Sequence, residues 1–136
     1  MKNYLYLICA IKGEEVSAPC KVGISQNPAK RLKGLQTAYP YKLIIYELWD
    51  FSNRSEVLAG EELAHASLAE HRLSGEWFSI EPKEALFKIT LWFKWAAAMQ
   101  ARERGDIEPL PPIPPNGVGL IANGLADRAG KLRLRA

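Results

Sequence analysis

Ionisable side chains recur on the apolar face of a helix predicted from Glu56 to about Leu73. At 100° per residue, one arc of this helix holds both apolar and ionisable residues: Leu58, Leu68 and Ala69 with Glu61, Glu62, His65 and Arg72. The opposite side holds Glu56, Ser67, Glu70 and His71. Because a buried, unpaired carboxylate is costly, two interpretations remain open. Glu61 and His65 form an ion pair that Arg72 caps, or the carboxylates face a cleft that binds a divalent cation.

A second set of chemically competent residues lies in KVGISQNPAKRLKGLQT, residues 21–37. Residues 21–42 contain no acid and five bases: Lys21, Lys30, Arg31, Lys33 and Lys42. Residues 47–84, by contrast, contain nine acids and three bases, so the positive charge is local. Arg31 lies at the border of a predicted apolar stripe formed by Ala29, Leu32 and Leu35. An arginine there either binds a phosphate in a cleft or forms a structural salt bridge.

The elements that position these residues follow from apolar patterning and turn signals. Residues 4–11 and 20–25 predict a β-hairpin whose loop, KGEEVSAP, is loose. Asn27 and Pro28 predict the start of a helix that ends near Gln36, and residues 43–49 predict a third strand. The order β-β-α-β-α-α indicates an α+β domain with a three-stranded, mainly antiparallel sheet. We expect this domain to span residues 1–105.

The third predicted helix begins at Pro82, ends near Gly105 and has two apolar stripes. One stripe holds Leu86, Ile89, Phe93 and Ala97, and the other holds Phe87, Leu91 and Trp95. Since a sheet can cover only one of them, the other requires the tail or a second copy of the chain, as in a homodimer through this helix. Residues 106–136 predict a basic tail rich in proline and glycine, either docked or disordered.

Composition is that of an ordinary globular protein. The 136 residues are 48% hydrophobic and 24% charged, with a net charge of +3, which excludes a strongly basic nucleic-acid-coating protein. Two cysteines suit reduced core residues better than a disulfide scaffold. The apolar runs are too short for a signal peptide or a membrane span, so we expect a cytoplasmic protein without membrane contact.

The ordered combination of motifs resembles the GIY-YIG nuclease superfamily, in particular its T5 orf172-like and Mug113-like branch. The resemblance covers residues 3–90 and depends on these segments: Tyr4-Leu5-Tyr6, Lys21-Val22-Gly23-Ile24-Ser25, Asn27-Pro28, Arg31, Glu61, His65, Arg72 and Gly75-Glu76-Trp77-Phe78. It implies a small phage or prophage enzyme that cuts DNA, with RNA as the alternative substrate.

The resemblance also implies roles for individual residues. Glu61 matches the metal-binding glutamate and would hold one Mg²⁺ or Mn²⁺, Arg31 matches the catalytic arginine, and Tyr6 matches the first-motif tyrosine. His65 lies with them in the implied catalytic site. Lys21 replaces the second-motif tyrosine, so it would hold a phosphate rather than act as a base. Lys30, Lys33 and Lys42 would contact the nucleic-acid backbone together with Lys21 and Arg31.

Three motif residues and the function itself have alternatives. Trp77 and Phe78 are either core residues or base-stacking residues, and Glu76 is either a second acid in the cleft or an ordinary turn residue. A catalytically inactive nucleic-acid-binding module is the first alternative to the endonuclease, because Lys21 replaces a tyrosine. A protein-interaction or dimerisation domain is the second, because the third helix is apolar on two sides.

Overall fold

A computed structural model describes residues 2–105 as one α+β domain with a five-stranded antiparallel sheet. The elements in chain order are β1 (Asn3–Lys12), β2 (Glu15–Ser25), α1 (Pro28–Gln36), β3 (Lys42–Phe51), α2 (Arg54–Ser67), a 3-10 turn (Ala69–His71), β4 (Arg72–Ser74), β5 (Trp77–Phe78) and α3 (Pro82–Glu103). The strand order across the sheet is β3-β1-β2-β5-β4. The α+β class is therefore confirmed. The predicted number of three strands is wrong, because β4 and β5 are too short to leave a pattern in the sequence.

The central strand β1 is covered on both faces. Its residues alternate between two clusters: Leu5, Leu7 and Cys9 face α2 and α3, whereas Tyr6, Ile8 and Ala10 face α1. Side chains of a strand point alternately to opposite faces, so one sequence run serves both layers. The sheet thus lies between α1 on one side and α2 with α3 on the other.

The hairpin between β1 and β2 is tighter than the predicted loose loop. Strand β2 already begins at Glu15, and Gly13 supplies the positive φ of +68° that the turn needs. The register then shifts, since Cys9 faces Cys20 but Ala10 faces Ser17. The extra residues of β2 form a bulge there, which lets the strand accommodate a proline.

Helix α2 ends earlier and is rotated relative to the prediction. It stops at Ser67 rather than near Leu73, because the chain must turn back to form β4 and β5 around Gly75, whose φ is +56°. Its buried residues are Glu56, Val57, Gly60, Leu63, Ala64 and Ser67. Leu58 is instead 39% exposed. The predicted stripe was wrong because it included residues 68 and 69, which lie beyond the helix.

Two other predicted faces differ in detail. Leu32 and Leu35 of α1 pack on the sheet as predicted, but Ala29 is exposed. In α3 both Phe93 and Trp95 are buried, whereas Phe87 is 68% exposed. Neither observation tests the predicted homodimer.

Two further predictions concern the ends and the environment of the chain. The tail prediction for residues 106–136 lies outside the described residues. No helix within residues 2–105 has the length and apolar character needed to cross a membrane.

Candidate active site

The candidate site lies at the point along β2 where its pairing with β5 ends. Strand β5 pairs with β2 only at Cys20 and Lys21, and the last contact is the Val22 amide donating to the Glu76 carbonyl at 3.0 Å. The next residue, Gly23, faces Tyr6 of β1. A Cβ atom at Gly23 would overlap both the Tyr6 hydroxyl and Glu76 Oε1. The missing side chain is therefore what allows these two groups to approach the strand.

Two carboxylates meet at this point. Helix α2 supplies Glu61, and the turn between β4 and β5 supplies Glu76. One ligand atom each from Glu61, Glu76 and His65 lie within 4.8 Å of one another. Burial, together with the charge and the hydrogen bond of Glu76, raises the pKa of Glu61 from its ordinary value of 4.5 to about 7. Carboxylates held this close favour either a shared proton or a cation between them.

His65 holds the site together through both ring nitrogens. Its Nδ1 lies 3.1 Å from the Arg72 guanidinium, which can only donate, so Nδ1 accepts. The proton is therefore on Nε2, which donates to the Val22 carbonyl at 2.8 Å. Burial lowers the pKa of His65, although the Val22 hydrogen bond opposes the shift, and the ring is neutral at pH 7. In this arrangement His65 fixes α2 against β2 and leaves oxygen atoms as the free ligands.

Tyr6 and Arg31 lie beside these carboxylates. The Tyr6 side chain is 1% exposed, and burial raises the pKa of its hydroxyl even though Arg31 hydrogen-bonds to it. Arg31 itself lies near the start of α1, where Asn27 Oδ1 accepts from the Lys30 amide at 3.2 Å. The cap fixes the helix start and therefore the position of the guanidinium. A shallow groove of about 290 Å³ lies outside it, lined by Ser25, Asn27, Lys30, Arg31 and Gly34.

Lys21 is a nearly buried cation beside the carboxylates. Its side chain is 8% exposed, and its Nζ lies 3.3 Å from Glu76 Oε2. The same Nζ lies 5.2 Å from the centroid of the Trp77 ring. Lys21 thus neutralises part of the negative charge that Glu76 and Glu61 bring to the cleft.

The structure brings most of the predicted site residues together but not all of them. The residues that converge near Gly23 are Tyr6, Lys21, Arg31, Glu61 and His65. Lys30 and Lys33 are exposed on α1, as predicted. Lys42 pairs with Ile11, five positions along β1 from Tyr6, which places it roughly 17 Å from the cleft along the strand. Glu62 points to solvent rather than into the cleft.

Glu76 is the residue whose importance the sequence left open. Its carboxylate contacts Lys21, hydrogen-bonds Glu61 and lies beside the Tyr6 hydroxyl. The available signal was an acidic residue directly after Gly75 and before an aromatic pair. That signal does not reveal that the following strand pairs with β2 at Lys21, and this pairing is what brings Glu76 into the cleft.

Comparison with known proteins identifies the family of the chain. Neither the curated proteins nor the solved structures contain a match to the chain. A family model does match, the T5orf172 domain, over residues 3–94. That range runs from the first residue of β1 into α3 and contains every residue of the cleft. The chain therefore belongs to the T5orf172 family, a nuclease-like family of the GIY-YIG type.

Proposed function

We propose that the chain is a divalent-metal-dependent endonuclease that hydrolyses phosphodiester bonds in DNA. The observation that carries the proposal is the meeting of Glu61 and Glu76 beside Gly23, with Tyr6 and Arg31 next to them. The carboxylates attract a cation, and the guanidinium of Arg31 attracts a phosphate. Phosphodiester hydrolysis with a metal ion needs both in the same cleft.

The donor atoms fit a hard divalent cation. Both nitrogens of His65 are engaged by Val22 and Arg72, so the carboxylate oxygens of Glu61 and Glu76 are the ligands on offer. Oxygen ligands in small number suit Mg²⁺ or Mn²⁺, which keep several waters, better than Zn²⁺. When bound, such an ion supplies positive charge for the phosphate and acidifies its bound water.

The remaining residues would bind and orient the phosphate. Arg31 is exposed, always charged and fixed by its hydrogen bond to Tyr6, so its guanidinium can bind a phosphoryl oxygen. The Tyr6 hydroxyl accepts from Arg31 and keeps its own proton because burial raises its pKa. It can therefore donate to a phosphate oxygen. Lys21 contributes a further positive charge at the back of the cleft.

The pH profile of cleavage distinguishes two acceptors for the proton of the attacking water. If Tyr6 is the base, cleavage rises with pH beyond pH 9, since the pKa of this buried tyrosine lies above its ordinary value of 10.0. If a carboxylate accepts the proton, cleavage reaches a plateau at lower pH. Tyr6→Phe removes the rise in the first case and leaves the shape of the profile unchanged in the second.

The direct test is cleavage of supercoiled and linear DNA with Mg²⁺ or Mn²⁺. We expect EDTA and Glu61→Gln each to abolish cleavage. Glu62→Gln is the matched control, because it removes a neighbouring but exposed carboxylate of the same helix and should leave cleavage intact. Cleavage that persists equally in the Glu61→Gln variant, or no cleavage on any form of DNA, contradicts the proposal.

A catalytically inactive nucleic-acid-binding module is the second candidate. The observation that favours it is the ion pair between Lys21 and Glu76, which occupies part of the cleft where the superfamily has a tyrosine. Such a module binds DNA without cleaving it. Its affinity for DNA falls with added salt and on replacement of Lys30 or Lys33, whereas Glu61→Gln leaves the affinity unchanged. The same set of variants therefore separates the two functions.

A further inference from the structure

Three aromatic rings form a continuous contact chain that begins at the cleft. Trp77 and Tyr39 are nearly parallel, with ring centroids 5.4 Å apart and planes inclined by 8°. Tyr41 follows Tyr39 at 6.3 Å and 57°. A lysine lies over each terminal ring at 5.2 Å, Lys21 on Trp77 and Lys12 on Tyr41. We call Trp77, Tyr39 and Tyr41 the aromatic ladder.

The ladder lies on the α1 face of the sheet and leads away from the carboxylates. Tyr39 and Trp77 pack on the cluster that contains Tyr6, so one end is fixed to the cleft. The other end reaches Lys12, the last residue of β1, far from the register position of Tyr6. The ladder therefore spans the distance between the cleft and the far end of the sheet.

Packing of the core explains one half of the ladder but not the other. Trp77 and Tyr39 are half-buried and contact the core. Tyr41 is 47% exposed and is not part of either core cluster. Lys42, the next residue, is exposed as well. A large exposed ring with Lys12 over it and a second exposed lysine next to it in sequence is a surface suited to binding rather than to stability.

We propose that Tyr41, the exposed end of the aromatic ladder, stacks on an unpaired base near the scissile phosphate, and that Lys12 and Lys42 bind the phosphates beside that base. Aromatic rings stack on bases only when the bases are outside a duplex, and neighbouring lysines bind the phosphates between them. Residues 21–42 contain no acid, so the loop that carries Tyr39 and Tyr41 does not repel a nucleic-acid strand. That the bound strand leads from the ladder to the cleft rests on the proposed nuclease function. The binding of unpaired nucleotides does not depend on it.

This assignment also gives Lys42 a role that the cleft does not. Lys42 lies in β3 beside Ile11, too far from the register position of Tyr6 to reach a phosphate held at Gly23. It is adjacent to Tyr41, however, and can contact a phosphate one or two nucleotides further along a strand stacked on the ladder. The bases within residues 21–42 would thus contact two positions of one bound strand.

The test is the affinity for a labelled single-stranded oligothymidylate and for a labelled duplex of the same length, measured by fluorescence anisotropy in EDTA. We expect Tyr41→Ala to weaken single-strand binding by about five-fold or more, the effect of losing one stacked base. Tyr41→Phe should retain the affinity, because the ring stacks without its hydroxyl. Duplex binding should be equal in all three proteins.

Two further variants control the experiment. Phe87→Ala removes an exposed aromatic ring from α3 and should change neither affinity. Lys12→Ala should lower the slope of log affinity against log salt by about 0.7 on the single strand, as for one lost phosphate contact. Thermal unfolding of each variant checks that the fold is intact, which the exposure of Tyr41 leads us to expect.

The outcomes separate the ladder from the nuclease. Unchanged single-strand affinity in Tyr41→Ala, or equal losses on single strand and duplex, overturns the ladder even if Glu61-dependent cleavage is observed. Loss of single-strand affinity in Tyr41→Ala, without any Glu61-dependent cleavage, supports the ladder and removes only the nuclease.

Discussion

The stability of the protein without metal should depend on pH through Glu61. In the folded state the pKa of Glu61 rises from its ordinary value of 4.5 to about 7, first because of burial and then because of Glu76. Between these two values the folded protein binds more protons than the unfolded chain. The stability that this group contributes is therefore complete below pH 4.5 and is lost as pH rises through about 7.

The size of this effect follows from the shift and from solvent exposure. At 1.36 kcal/mol for each tenfold change in proton affinity, the shift corresponds to roughly 3 kcal/mol. Glu61 is only half-buried, and solvent screening reduces the measurable part to about 1 to 1.5 kcal/mol. Glu61→Gln removes the titration, so the variant should gain this amount relative to the natural protein between pH 5 and pH 8.

Denaturant unfolding in EDTA at both pH values measures the effect, with the fluorescence of buried Trp92 and Trp95 as the signal. Only the change in the difference between variant and natural protein matters, so any packing effect of the substitution cancels. The exposed neighbour Glu62, changed to Gln, should show a smaller change, because its charge contributes less to the raised pKa of Glu61 than burial and Glu76 do. A difference that is the same at pH 5 and pH 8 would refute the idea that burial and Glu76 raise the pKa of Glu61.

Adding Mg²⁺ at pH 8 should reverse the order of stability. A cation between Glu61 and Glu76 removes their repulsion and stabilises the folded state by about 2.7 kcal/mol at one hundred times its dissociation constant. The Glu61→Gln variant should gain little. Equal stabilisation of both proteins would place the ion elsewhere.

Three other predictions follow from the same geometry. Gly23→Ala should abolish cleavage and lower the free energy of unfolding by about 1–3 kcal/mol, because its methyl group overlaps the buried hydroxyl of Tyr6. Gly34→Ala is the control: it has open space around it and should be neutral or stabilising in thermal unfolding. Burial raises the pKa of Cys9 to about 11 and of Cys20 to about 12, so neither thiol should react with a disulfide reagent at pH 8 before unfolding; rapid labelling of the folded protein would contradict this. Burial lowers the pKa of His65 below 6.5, so the natural protein should lose stability relative to His65→Gln as pH falls below 6.5, opposite in sign to Glu61; a flat difference in denaturant unfolding would show that the ring is not held neutral.

The sequence predicted the longer elements because their signals are local. The Asn27 cap followed by Pro28 marks the start of α1, and Pro82 marks the start of α3. Strands β4 and β5 leave no such signal. They exist because Phe78 is buried against the core and because residues 72–78 pair with each other and with β2. Such pairing depends on tertiary structure, which local patterns do not contain.

The same distinction explains which site residues could be predicted. Glu61 and Arg31 occupy helices whose positions are visible in the sequence, so their convergence could be expected once the family resemblance was found. Glu76 lies in a turn whose position depends on β5, so its contacts required the structure. The prediction for the buried side of α2 is also wrong, since Glu56 on the side predicted to face outward is only 9% exposed.

Lys21 stands where the superfamily has its second-motif tyrosine, and Glu76 compensates the charge of this lysine. A lysine at a position that is 8% exposed needs a nearby negative charge, and Glu76 at 3.3 Å supplies it. When Glu61 and Glu76 are both ionised, Lys21 balances only one of the two negative charges. The cleft then retains one negative charge that a divalent cation would more than neutralise. In the proposed nuclease, the excess positive charge and that of Arg31 would attract a phosphodiester, so the lysine would remove a candidate base but keep the electrostatics of phosphate binding.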